Sequence, residues 1–280
     1  MNRVSKILFV SATSVVLGGG IARADEPEPA QPEVGEAADA AVGVDSWPLA
    51  AIARPLTAAK GMLEVTPMAT FGHASVGDTS VDSEGATLAV RYGISSRLEL
   101  GAAYTGITFN PESNFKGALT AGLGYSAIRG ALGGVLDVAP KAAVVYDFAG
   151  ETAEIRAGAD VHYKLSPRLY LGTPTNVPGL GVTVKGPDVM GTSVNPIVFA
   201  VPFAVGLQAT PALQLQASTI LANFSIKDSA TTYVSDITPL TIDAIYALGH
   251  KMDIRVDLGT FDLQHAGDLL TIAAGINVRM

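Results

Sequence analysis

Charged side chains keep one parity through residues 154–164: Glu154, Arg156, Asp160, His162 and Lys164 sit at even positions. Ile155, Ala157, Ala159, Val161, Tyr163 and Leu165 fill the odd ones. Side chains alternate faces along a strand, so this spacing puts acids, bases and an imidazole on one face and hydrophobes on the other. The preceding run adds Asp137, Lys141 and Asp147 to the charged face. Carboxylates and ammonium or guanidinium groups facing one aqueous passage select ions by field, while the same groups in a packed interior neutralise one another. These eight residues are the expected constriction or solute-contact zone. Further residues of matching parity are Arg91, Glu99, Asp243, Asp253, Arg255 and Asp257, with Glu64 and Arg279 in the first and last segments.

Other chemistries find little support in the sequence. There is no cysteine, hence no disulfide, thiolate ligand or cysteine nucleophile. The four histidines, His73, His162, His250 and His265, lack zinc-ligand spacing. His73-Ala74-Ser75 is adjacency rather than a triad, and the glycines of 130–134 have no phosphate-binding strand–helix context. Neither an enzyme nor a metal or other cofactor is expected.

The elements that must carry the charged face are strands. In 86–104, Ala86, Leu88, Val90, Tyr92 and Ile94 form one apolar row, and Leu98, Leu100, Ala102 and Tyr104 resume it after Ser95-Ser96. Two alternating runs around a short polar turn read as a β-hairpin. Ten more alternating segments complete a set of twelve, at 61–72, 115–128, 135–148, 152–165, 168–174, 197–209, 212–225, 238–248, 252–262 and 268–280. Connections after even-numbered segments are short. Most of those after odd ones are longer and rich in turn formers, including 73–84, 175–196 and 226–237. The fold class read from this pattern is all-β, a transmembrane antiparallel barrel with short periplasmic turns and longer extracellular loops. Tyr92, Tyr125, Tyr163 and Tyr246 precede short turns and form an expected aromatic girdle at the periplasmic interface. Phe71, Phe115, Phe148 and Phe199 fall at the opposite ends. Phe109, Phe224 and Phe261 are out of phase and require bulges or loop positions. Segment eight differs from its neighbours, with Val198, Ala200, Pro202, Ala204 and Gly206 on the inward face.

Residues 1–24 have the form of a secretory signal, with Arg3 and Lys6 before an apolar run and Ala22-Arg23-Ala24 before Asp25. Residues 25–60 are an expected periplasmic tail and lead-in, acidic and Pro/Ala-rich at first. Trp47 in the lead-in is read as an anchor at the membrane interface. Residues 61–280 are the expected barrel. Hydrophobic residues are 48% of the chain, yet past the signal no run is long enough for a spanning helix. The net charge of −8 disfavours nucleic acid as a partner.

Arg54-Pro55-Leu56-Thr57 with Gly61-Met62-Leu63-Glu64-Val65, and Tyr92-Gly93-Ile94-Ser95-Ser96-Arg97-Leu98-Glu99-Leu100, resemble Gram-negative outer-membrane β-barrels. Within that group the chain looks most like porin-like, transporter-type barrels labelled as putative phenol-degradation proteins. Met280 departs from the aromatic residue that usually ends such chains. The resemblance implies an outer-membrane barrel, monomeric or oligomeric, with passive uptake. The expected partners are outer-membrane lipid, small solutes and the barrel-assembly machinery. The expected function is passive diffusion of small solutes through a narrow, mixed-charge lumen. A non-conducting structural or adhesion barrel acting through its extracellular loops is the alternative.

Overall fold

The computed structural model describes residues 43–76, 79–110, 114–174, 179–186, 188–189, 192–193, 195–226, 232–234, 238–265 and 268–280. The expected signal segment and the tail up to residue 42 lie outside the described residues, as does part of the 175–196 connection.

Twelve antiparallel staves close into a barrel. They are β1 (Leu63–Val76), β2 (Thr79–Gly93), β3 (Leu98–Asn110), β4 (Ala118–Tyr125), β5 (Leu136–Asp147) and β6 (Thr152–Ser166). Then come β7, in two pieces (Leu169–Gly172 and Leu180–Lys185), β8 (Ile197–Gln208), β9 (Leu213–Ile226), β10 (Leu240–Ala247), β11 (Met252–Thr260) and β12 (Leu269–Arg279). Each stave pairs with its sequence neighbours, and β12 returns to β1 with Glu64 opposite Arg279, so the main sheet has no open edge. The twelve expected strands are present, most with ends shifted by a few residues, while β2 begins at Thr79 and β7 runs on to Lys185.

Burial inverts that of a soluble protein. Leu100, Leu123, Val144, Ile155 and Ile242 face outward and are exposed, while Glu64, Arg91, Glu99, Asp253 and Arg279 face inward and are buried. Only an apolar solvent makes such an arrangement favourable, so the fold is a transmembrane barrel. Short turns cluster on the rim that also holds Leu63 and Arg279, called here the lower rim. Hydroxyl side chains build these turns. Ser95 Oγ accepts from the Arg97 and Leu98 amides at 3.2 and 3.0 Å, and Thr210 Oγ1 accepts from Ala212 and Leu213 at 3.2 and 3.0 Å.

The structure corrects two expectations and contains the expected short turn at 129–134. The 73–84 connection is mostly strand, because β1 and β2 stay paired up to Val76 opposite Thr79. The link at 129–134 is a compact turn with left-handed Gly130, Leu132, Gly133 and Gly134. The seventh strand, expected at 168–174, is broken after Gly172, near Pro174, which has no amide to donate to a ladder, and resumes at Leu180. There Thr173 Oγ1 takes the strand's place, accepting from the Val161 amide at 2.9 Å and donating to Ala159 O at 3.1 Å. The out-of-phase phenylalanines have the expected irregularities. A register slip between Ala86 and Leu88 precedes Phe109 on the paired strand, one at Val201/Pro202 precedes Phe224, and Phe261 lies past the end of β11.

Candidate functional site

Inside the lower half of the barrel the charged face becomes one continuous chain of opposite charges. Register places Glu64 directly opposite Arg279 on one side and Arg91 on the other. Glu64 Oε2 accepts from Arg279 Nε at 2.9 Å and Oε1 from Arg91 Nε at 2.9 Å. Arg91 reaches diagonally to Glu99, with Nη1 3.3 Å from Oε2. Glu99 Oε1 lies 3.4 Å from Lys141 Nζ, whose other neighbour is Asp160 Oδ2 at 2.6 Å. On the other side Arg279 donates to Asp253.

Gly124 lets this ladder cross β4. It sits between Glu99 and Lys141 in the register, and a Cβ there would meet Glu99 Oε1 at 3.1 Å and Lys141 Cε at 3.2 Å. The missing side chain is the space through which the two charges touch.

The ladder's last cation comes from outside the staves. Arg54 donates to both carboxylate oxygens of Asp253, at 2.8 and 3.0 Å, and from Nε to Pro48 O at 2.6 Å. Arg54 belongs to the lead-in, which folds into the lower mouth of the barrel. Trp47, Ala58, Ala59 and Met62 form a buried apolar cluster there. The Ala58 amide donates to Glu99 Oε2 at 2.7 Å, and Arg129 Nη2 donates to Thr57 Oγ1 at 3.1 Å. Trp47 O lies 2.7 Å from His250 Nδ1, and the Arg279 guanidinium stands 5.9 Å from the indole centroid. Trp47 is therefore not an interface anchor. Its ring is 1% exposed and fills the mouth. An apolar stretch beside a membrane strand reads as lipid-facing, and only the pairing of Arg54 with Asp253 reveals that it turns inward.

The eight residues expected to form one constriction do not meet at one level. Asp137 pairs with Lys164 at 2.8 Å near the lower rim, and Lys141 and Asp160 join the ladder. Arg156 pairs with Glu154 at 2.8 Å higher up, and Asp147 Oδ1 accepts from the Ala149 amide at 2.9 Å at the far end of β5. His162 stacks on Tyr170 with ring centroids 4.3 Å apart. Residues of one parity are spread along the height of a stave, and pairing across strands sorts them into separate levels. Of the further inward residues, Arg91, Glu99 and Asp253 join the ladder. Asp243, Arg255 and Asp257 form a second group on β10 and β11, with Arg255 Nε 3.2 Å from Asp257 Oδ1. Tyr92, Tyr125, Tyr163 and Tyr246 all point outward near the lower rim and are 41–47% exposed.

Tyr170 and its amide partners were not legible. Tyr170 OH accepts from Gln214 Nε2 at 2.8 Å and donates to Gln216 Oε1 at 2.5 Å, and Gln216 Nε2 donates to Asp243 Oδ2 at 3.1 Å. Gly206 makes room for the ring, since a Cβ there would lie 2.0 Å from Tyr170 Cε1. Gly206→Val is expected to expel the ring and destabilise the barrel by about 1–3 kcal/mol. The check is the temperature at which the folded band is lost on unboiled gels, with partial recovery in the Gly206→Val/Tyr170→Ala double variant.

Above the ladder the inward rows change to small residues, among them Thr70, Thr120, Gly122, Gly158, Thr241 and Gly259. The lower half of the lumen is thus packed with charge, and the upper half is lined by these small residues beside Met68, Val145 and the Glu154–Arg156 pair.

No family model and no curated protein matches the sequence. Among solved structures the chain is similar to the NanC porin at 10% identity, over 76% of this chain and 100% of that one, with a TM-score of 0.53. It is also similar to an outer-membrane channel from Pseudomonas putida F1 at 11% identity, over 80% of this chain and 98% of that one, with a TM-score of 0.50. At such identities the likeness is one of fold, an antiparallel transmembrane barrel of porin-like form.

Proposed function

We propose that this chain is an outer-membrane channel for passive diffusion of small solutes, closed at rest by residues 44–59. The observation that carries this reading is the composition of the lower mouth. Residues 44–59 fill it with no backbone ladder to a stave, while 60–62 are bonded to Gly93 of β2 and act as the hinge, so it opens without breaking the barrel. Solutes enter by the upper lumen and leave past the displaced segment along the mixed-charge wall. The lower rim faces the periplasm, with the four tyrosines at that membrane interface. Outer-membrane lipid surrounds the apolar wall, and the chain reaches its place through a signal segment and the barrel-assembly machinery.

The test is conductance of the folded chain in planar bilayers. Brief, infrequent steps are expected. Their ion selectivity should shift toward cations in Arg156→Glu, which reverses a half-exposed charge in the upper lumen. The packed lower mouth favours a second reading, a non-conducting barrel acting through its extracellular loops. Silence from inserted protein, including variants with the mouth segment loosened, would establish that reading instead.

A further inference from the structure

Across the lumen from the ladder lies a second polar group whose hydrogen bonding is incomplete. His162, Tyr170, Gln214, Gln216, Asp243 and Arg255 surround a cavity of about 20 Å³ beneath Ala51 of the mouth segment. The direct bonds form a one-way relay from Gln214 Nε2 to Tyr170 OH, on to Gln216 Oε1, and from Gln216 Nε2 to Asp243 Oδ2. This relay uses one N–H of each amide and leaves acceptors over. Gln214 Oε1, Asp243 Oδ1 and both ring nitrogens of His162 have no hydrogen-bond partner among the described residues. All three side chains are more than nine-tenths buried, at 4, 3 and 7% exposure. Buried polar atoms are almost always satisfied, so such a cluster marks a place for a partner the protein does not itself supply.

We infer that this pocket binds an ammonium group, free or as the head of a primary amine. The open atoms are two oxygens and one acceptor nitrogen of a neutral imidazole, and an N–H donor serves all of them, whereas alkali ions favour oxygen alone. The volume suits a group the size of one water. The pocket's role, as a station for amine-bearing solutes beside the mouth segment, rests on the channel reading; its occupancy does not.

The experiment follows the midpoint of thermal unfolding of the full chain in detergent on unboiled gels. Ammonium, methylammonium, potassium and tetramethylammonium chlorides are compared at equal ionic strength and pH 7.5. Ammonium and methylammonium should each raise the midpoint by about 3 °C per tenfold concentration once the site fills. Asp243→Asn and, independently, His162→Phe should lose that response. A methylammonium response equal to that of ammonium assigns the head of a primary amine, and an ammonium response alone assigns the free ion. An equal response to potassium or tetramethylammonium, an unchanged response in both variants, or no response at all would overturn the inference. A chain that responds in this way yet conducts nothing keeps the site and loses the channel. A conducting chain without the response does the reverse.

Discussion

Arg54→Glu is expected to hold the channel open. The wild-type guanidinium makes a paired contact with Asp253 in a site where both side chains are 1% exposed. Reversal sets two carboxylates against each other there and also removes the bonds to Pro48 O and Leu49 O that fold the segment back on itself. Breaking a buried pair costs about 3–5 kcal/mol. Residues 60–62 are bonded through the backbone to Gly93 of β2, so the part that can leave the mouth ends at Ala59, and the energy lost there appears in the closed–open equilibrium. A loss of about 3 kcal/mol multiplies the open fraction by roughly a hundredfold. The measurement is open probability in planar bilayers. Lys251→Ala is the control, since the Lys251–Asp45 pair at 2.7 Å lies on the surface, and exposed pairs of this kind contribute at most about 1 kcal/mol. Equal open probability in the Arg54 variant and the control would show that residues 44–59 are a fixed part of the wall.

The staves were legible because lipid outside and charge inside impose a period of two, and that period is local in sequence. Ser95 and Thr210 marked their turns for the same reason, since a hydroxyl capping its own turn acts within three residues. The ladder was only half legible. Parity put Glu64, Arg91, Glu99 and Arg279 on one face, but which of them touch depends on register across strands far apart in the chain. The link from Glu99 to Lys141 depends on a residue with no side chain, Gly124. Tyr170 was hidden because its stave piece has four residues, too few for alternation to declare a face. The mouth segment misled because its apolar residues suit lipid as well as they suit a barrel's interior. Arg54, the one charge between Asp45 and Lys60, was the available signal.

Glu64→Leu is expected to be the most damaging single change in the barrel wall, and adding two further substitutions should undo much of the damage. Glu64 is the one carboxylate that pairs with both Arg91 and Arg279, and it stands on the seam where the first and last staves close. Removing it leaves two guanidiniums facing each other across β1, both about 98% buried or more. The cost is about 3–5 kcal/mol for the broken pair alone, and the like-charge contact adds to it. Because β1–β12 pairing completes the barrel, the loss should appear as slow or failed closure, seen as a missing heat-modifiable band after refolding. Burial of ions is itself unfavourable, so a well-packed apolar replacement of the whole triad tends to be neutral or stabilising. The triple variant Glu64→Leu/Arg91→Met/Arg279→Met should therefore refold better than Glu64→Leu. It leaves Asp253 with Arg54, and Glu99 and Asp160 sharing Lys141, so no remaining acid is stranded although one is in excess and the recovery is partial. If the triple variant refolds worse than the single one, the ladder's contribution is net stabilisation of the closed seam. If it refolds well and conducts with altered selectivity, the charges were retained for the lumen and not for the fold.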